Sequence, residues 1–395
     1  ILIEKTELLG GNTNYATAGL NAAGTKIQEK LGEKDSPELF YEDTMKGGKN
    51  KNNKELVKVL ANNSSAIVDW LIERGADLSE LTSTGGQSAK RTHRPTGGTA
   101  VGPNIVAALS KTAESEKIDI RKGTKAIALV KGKNRIVGVK VREIDGKEYT
   151  IKAKAVIVAT GGFGANAKMV EKYNPKLKGF GSTNNPAIVG DGIIMVEKVG
   201  GALVDMSEIQ THPTVVHNKT NMITEAVRGE GAILVNRDGK RFIDELETRD
   251  VVSKAILSQK GKSAFLIFDE DIRTKLKAAD GYVKKGFAVE GTLEEIAAKI
   301  GTDAKTLEAT LNKYNEAVKN KVDSEFNKKT LPKELTGDKY YVIEVSPAVH
   351  HTMGGVRINT NAEVLGKNGR PIKGLYAAGE VAGGIHGANR IGGNA

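Results

Sequence analysis

The spacing of apolar and polar positions changes period several times along the chain, and each change marks an element. Ile1-Leu2-Ile3-Glu4 opens it as an apolar strand ending in a carboxylate. Ser36-Pro37-Glu38 places a capping hydroxyl ahead of a proline, which starts a helix cheaply because the first-turn N–H that proline lacks has no partner there anyway. Apolar residues then recur at helical spacing through Glu55–Glu73, predicting a long amphipathic helix that buries Val57, Leu60, Ile67, Trp70 and Leu71. Pro103–Glu116 reads as another. Across 125–159 the period falls to two, with Asp145-Gly146 as a hairpin turn. This predicts a three-stranded antiparallel meander feeding Ala155-Val156-Ile157-Val158-Ala159, a buried parallel strand that stops at Thr160-Gly161-Gly162. From about Pro213 the loops lengthen. Asp238-Gly239 makes a turn, and helices follow near Val251–Ser258 and Leu293–Lys319, with Thr292-x-x-Glu295 as a capping box. Tyr340–Val345, a short strand, leads back to a glycine-rich end. There is no internal repeat.

Composition narrows the chemistry. A length of 395 residues predicts two or three domains at about 100–200 residues each. No run approaches the roughly 20 apolar residues of a membrane helix. Cysteine is absent, which removes disulfides, thiol nucleophiles, thiolate metal sites, iron–sulfur clusters and haem attached through C-x-x-C-H. Six scattered histidines leave a metal centre few ligands, so no metal is expected. The formal charge of +11 suits an anionic ligand, but it comes mostly from lysines on helix faces, with few aromatics between them. Nucleic acid is therefore not the expected partner. The 46 glycines cluster in short runs, where backbone must approach something closely.

Both ends bear on that approach. In a dinucleotide-binding unit an acid at the tip of the second strand holds a ribose, about 20 residues after a glycine-rich phosphate loop. Glu4 stands where that acid belongs, and no G-x-G-x-x-G precedes it. At the other end Gly374–Val381 reads as a strand running into glycine turns, which should lead to a helix N-terminus facing an anion or polar ring. Several polar residues between have two readings each. His212 before Pro213 is a turn residue or a ligand. Glu225 and Arg228, three apart on a helix, are a surface ion pair or functional groups. Arg249 heads a predicted helix and pairs with Asp250 or Glu247, or does chemistry. His350-His351 is a capped strand end or part of a site. Arg390 is harder to explain structurally, being a lone charge among Gly, Ala, Ile and Asn, where burial without a partner is costly.

Taken together, Glu4, Gly10-Gly11-Asn12-Thr13, Ala18-Gly19-Leu20-Asn21-Ala22-Ala23-Gly24, Ala159-Thr160-Gly161-Gly162, Gly190-Asp191-Gly192 and Gly379-Glu380-Val381 resemble one family. It is the flavoprotein family of fumarate reductases and succinate dehydrogenases, with most likeness to its soluble, flavocytochrome-type members. The most specific pieces are Thr211–Thr214, Met222–Gly229, Glu247–Asp250, His350–Gly355 and His386–Arg390, five polar motifs in the expected order.

The resemblance implies an α/β fold: a Rossmann-like FAD-binding domain of the glutathione-reductase type, formed by residues 1–212 and 336–395, interrupted by a mobile α+β capping domain at 213–335. It implies FAD lying along Glu4, Asn12, Thr13, Ala18, Gly19, Ala126, Gly161 and Asp191, with His351, Glu380 and the turn ending at Ala395 near the flavin. Histidine is absent from Asn12–Asn21, where membrane-bound relatives attach FAD, so the cofactor is expected to be non-covalent. The implied reaction is reduction of fumarate to succinate. Arg390 and His350 hold one carboxylate, His212 and Thr224 the other, and Met222 packs near the reacting carbons. Arg249 is the acid, and Glu225 and Arg228 relay protons to it. Rival readings are a reductase of another unsaturated acid, such as urocanate or methacrylate, and a catalytically silent electron-transfer module. Electrons would come from another domain, a cytochrome or a reduced carrier. The implied location is the bacterial cell envelope, with cytoplasm the alternative. Because the phosphate loop and first strand are not among these residues, residues 1–395 alone are expected to be poorly soluble and largely flavin-free.

Overall fold

The computed structural model describes residues Ile1 to Ala395. The chain divides into two units, one of Ile1–Gly179, Asn184–Gln210 and His350–Ala395, the other of Phe180–Thr183 and Thr211–Val349.

In the first unit Leu2–Ile3 pairs in parallel with Ile120–Arg121, and Val156–Val158 pairs in parallel with the strand Pro371–Ala377. The meander forms as predicted, Lys125–Lys131, Ile136–Arg142 and Glu148–Lys152 pairing antiparallel in sequence order. Helices Pro37–Gly47, Lys54–Glu73 and Val101–Ser115 cover their apolar faces with one another and with short strands. Ser36 caps the first by accepting from the N–H of Leu39, the role its place before Pro37 implied. Two expectations are corrected. Ile67 and Trp70 lie on the outer side of their helix, 49% and 40% exposed. The buried stripe is Val57, Ala61, Ser64, Val68 and Leu71, because small Ala61 and Ser64 let a neighbour approach closely; Trp70 instead lies under the Arg74 guanidinium, 4.0 Å away. Likewise Ile157 is 69% exposed, since Val156–Val158 ends the order of its sheet and only alternate residues of a strand can turn inward.

The second unit is built on a five-stranded sheet. Ile209–Val216, Tyr340–Thr352, Ala264–Asp269 and Ile233–Val235 follow in that order, and Val289–Gly291 also pairs with Tyr340–Thr352. Every residue of Ala264–Asp269 is buried. Phe268 stacks on Tyr341 at 5.3 Å within this core. The strand read as Tyr340–Val345 continues to Thr352. The region read as Leu293–Lys319 is two helices, Leu293–Ile300 and Ala304–Asn320. Gly301 in left-handed conformation ends the first, and Asp303 caps the second by accepting from Thr306 N–H. The Thr292/Glu295 capping box is formed. No helix is long and apolar enough to cross a membrane.

Candidate active site

Within the second unit, hairpin pairing gathers the central polar motifs. The N–H of Ile223 donates to Thr214 O at 2.8 Å, and Thr214 Oγ1 donates to Ile223 O at 3.0 Å. Met222 bridges to Val215. This register lays Met222–Thr224 alongside the strand carrying His212, whose ring is buried. Thr224 then caps the short helix Glu225–Gly229, its hydroxyl accepting from Ala226 N–H, while its own N–H donates to the Tyr282 hydroxyl at 3.0 Å.

Glu225 is the hub. Its Oε1 accepts from Arg249 Nε at 2.9 Å and lies 3.5 Å from Arg228 Nη2, while its Oε2 accepts from Arg249 Nη2 at 3.4 Å. The surface-pair reading of Glu225 and Arg228 is therefore corrected, because the Arg228 side chain is 2% exposed. Arg228 also donates from Nη1 to the carbonyl of Glu245. Burial pulls Arg228 below the usual arginine value, and the Arg249 charge adds to this while Glu225 opposes it. Two guanidinium groups on one carboxylate form a site able to hold a mobile proton next to a strong positive field.

The first unit assembles a second polar cluster from distant segments. Glu380 Oε1 accepts from Thr352 N–H at 3.0 Å and lies 3.3 Å from His351 Nδ1, and Oε2 accepts from Asn12 Nδ2 at 3.1 Å. Asn12 also donates to Asn184 Oδ1 at 2.7 Å and accepts from Asn185 N–H, and Asn184 Nδ2 donates to the carbonyl of His350. Arg390 is buried, and its Nη2 donates to Gln210 Oε1 at 3.4 Å; Gln210 Nε2 in turn donates to Asn389 Oδ1 and Arg390 O, both at 2.7 Å. The lone charge of the sequence thus has Gln210 beside it. Gln210 was missed, although it stands two residues before His212 in a strand. Asn184 and Tyr282 carried no sequence signal at all.

The remaining candidates are more dispersed. Glu4 closes the strand Leu2–Ile3, its Oε1 accepting from Thr6 N–H and Oγ1. Thr13 lies in the turn of 3₁₀ helix Gly11–Tyr15. At Gly19 a side chain would strike the Thr92 methyl at 2.4 Å and His93 O at 2.7 Å, so only glycine follows Ala18 without displacement. Ala126 pairs with Val141 in the meander. Asp191 begins the helix Asp191–Lys198 and pairs with Lys5 at 2.6 Å and Lys125 at 3.5 Å. Ala395 ends the chain just after Asn394, which Asn21 ties down through Nδ2 at 2.6 Å.

His386, outside the expected set, meets the His351 ring edge-on at 5.4 Å. Its imidazole is pushed down to about 3, first by burial and then by the Arg390 charge. The unfolded chain takes up this proton near pH 6.5 while the folded one resists it until about pH 3. Stability should therefore fall as pH drops through that window, by an amount on the order of a few kcal/mol. Thermal melts of wild type and His386→Leu from pH 7 to pH 3 check this. The variant should show the shallower decline, and parallel curves would remove His386 as the cause.

The residues suit FAD. A carboxylate at a strand tip matches a ribose diol, and Gly10, Gly11, Gly161 and Gly379 take the left-handed backbone conformation from which anion-binding amide nests are built. At Gly379, next to Glu380, an added Cβ would meet only open space, and His386 Nδ1 is buried with no hydrogen-bond partner. The family model described as an FAD binding domain matches residues 1–395. A protein of Shewanella frigidimarina named fumarate reductase (cytochrome) is 50% identical over 397 residues, covering 100% of this chain and 70% of its own length. An NADH:fumarate oxidoreductase of Klebsiella pneumoniae (strain 342) is 45% identical over 397 residues, covering 100% of this chain and 43% of its own. Among solved structures, the open conformation of a flavocytochrome c3 fumarate reductase matches with a TM-score of 0.85 at 43% identity, over 100% of this chain and 70% of that one.

Proposed function

Since the chain belongs to the FAD-binding flavoprotein family that includes the fumarate reductases, we propose that it reduces fumarate to succinate with Arg249 as the proton donor. The observation that carries this reading is the Glu225 carboxylate, shared between Arg249 and buried Arg228. FAD, when bound and reduced, would supply the hydride that one alkene carbon needs. Glu4, Asn12, Thr13, Ala18, Gly19, Ala126, Gly161, Asp191, His351, Glu380 and the turn ending at Ala395 would hold it. The electrons come from a donor outside these 395 residues, which lack cysteine for attached haem or a thiolate cluster.

The other alkene carbon needs a proton, and the dianion needs cations. Arg390 and His350 take one carboxylate, and His212 and Thr224 take the other, so that charge is neutralised before the bond order changes. Met222 fills space beside the alkene without offering water a partner. Arg249 gives up a guanidinium proton to the second carbon. A free guanidinium has a pKa above about 12, so this transfer requires neighbouring positive charge and immediate reprotonation. Arg228 supplies the charge. Glu225 Oε1, in hydrogen-bond contact with Arg249 Nε and 3.5 Å from Arg228 Nη2, passes back to Arg249 a proton taken up from solvent by way of Arg228.

The test is kcat/KM for fumarate, urocanate and methacrylate with an artificial low-potential donor and FAD-loaded protein. Fumarate is expected to lead. Urocanate or methacrylate outpacing it would overturn the substrate and leave the fold untouched.

A further inference from the structure

A second set of charges lies fully buried in the same unit, and the reaction just described makes no use of it. Glu245 Oε1 accepts from Arg241 Nε at 2.9 Å, and its Oε2 accepts from Arg241 Nη2 at 3.1 Å and Lys328 Nζ at 2.8 Å. Arg241 Nη2 also donates to Asp323 Oδ2 at 2.9 Å. None of these four side chains is more than 2% exposed. Two cations and two anions cancel. Burying ion pairs strips each ion of its hydration, and apolar residues of similar size often serve stability as well or better. Stability alone is therefore a poor reason for this set.

Its placement supplies a better one. The backbone carbonyl of Glu245 is the acceptor for Arg228 Nη1, and its side chain also accepts from Leu234 N–H at 3.3 Å. Glu245 thus ties together the helix of Arg228, the strand Ile233–Val235 and the loop holding Lys328. Arg249 begins its helix four residues later. Asp244 Oδ1 accepts from Leu246 N–H at 2.8 Å, so Glu245 itself sits in a short, bonded turn just ahead of that helix. Resting on the proton relay proposed above, we infer that Glu245 is a positioning residue for that relay: the neutral buried set of Arg241, Glu245, Asp323 and Lys328 holds Arg228 against Glu225 and keeps excess charge from it.

Charges facing Glu245 come from each neighbouring element: Arg228 on its helix, Arg241 on the preceding turn, and Lys328 and Asp323 on the loop after Ala304–Asn320. The Tyr314 ring closes the set, 5.3 Å from Arg241 Cζ and 5.4 Å from Lys328 Nζ. Asp244 lies on the same turn as Glu245, and burial raises its carboxyl. Glu245→Gln removes one negative charge, leaving the set positive beside the relay. That favours the deprotonated form of the relay arginines, so the alkaline limb of the kcat–pH profile should move to lower pH.

In the FAD-loaded enzyme, Glu245→Gln is expected to lower kcat for fumarate about ten-fold with KM within about two-fold. The alkaline limb should shift down by about one pH unit. Glu245→Gln/Lys328→Met restores neutrality without restoring the clamp, so its limb should return to the wild-type position while kcat stays low. Wild-type kcat in folded Glu245→Gln overturns the inference. Should that variant fail to fold, the double variant decides: wild-type kcat, or a loss confined to KM, overturns it equally. Arg249→Ala is the control. If Arg249→Ala is inactive and the Glu245 variants behave as wild type, only this inference fails; if Arg249→Ala is active, the relay itself is wrong.

Discussion

Arg249→Ala is expected to lower kcat for fumarate reduction by about three orders of magnitude or more while FAD content and fumarate affinity change little. A positioned general acid contributes roughly 10²–10⁴-fold, and losing a group that acts only in the transition state lowers kcat and kcat/KM together. The geometry sharpens this. Arg249 meets both oxygens of Glu225, so its loss removes both of those contacts from the carboxylate while the Arg228 contact remains. Arg249→Lys should be nearly as inactive, because one ammonium cannot reproduce a two-point guanidinium contact. Steady-state kinetics together with flavin absorbance and a fumarate titration check the expectation. Near-wild-type kcat in folded, flavin-bearing Arg249→Ala would mean that another group donates the proton.

Arg390→Ala should act differently, raising KM about 100-fold and lowering kcat as well. Truncating one partner of a buried charged contact costs roughly 2–5 kcal/mol, much of it from what is left behind. Here the group left behind is Gln210, which donates to Arg390 O and Asn389 Oδ1 and accepts from the guanidinium. A dianionic substrate also loses the cation that offsets its charge. Parallel measurement of KM, kcat and bound flavin separates this from a general loss of structure. A KM within three-fold of wild type, with flavin retained, would remove Arg390 from the substrate site.

The contrast between these two arginines is informative about what a sequence discloses. Both were visible as candidates, Arg390 because a charge among small apolar residues needs an explanation and Arg249 because it heads a helix. Neither neighbour was legible. Asp250 and Glu247 were the nearby acids, yet the carboxylate that meets Arg249 is 24 residues away, and the amide beside Arg390 is 180 residues away. The helix Lys54–Glu73 shows the same limit at shorter range. Its period was evident, but which side faces inward depended on where small Ala61 and Ser64 admit a neighbour, and the large Ile67 and Trp70 turned out to lie outside.

What the sequence determined by itself are features governed by neighbours along the chain. Caps at Ser36 and Thr292 depend on a hydroxyl three residues from an N–H. The meander depends on a period of two, and the lack of thiolate ligands and of thioether attachment for haem on the absence of one residue type. What only the tertiary structure decided are partners and burial: Glu225 shared by two arginines, Glu380 joined to Asn12 and Thr352, and the enclosed set around Glu245. The physical reason is range. Turns and caps are settled over a few bonds, whereas a buried charge takes its energy from whichever groups packing brings within about 4 Å, at any separation in sequence.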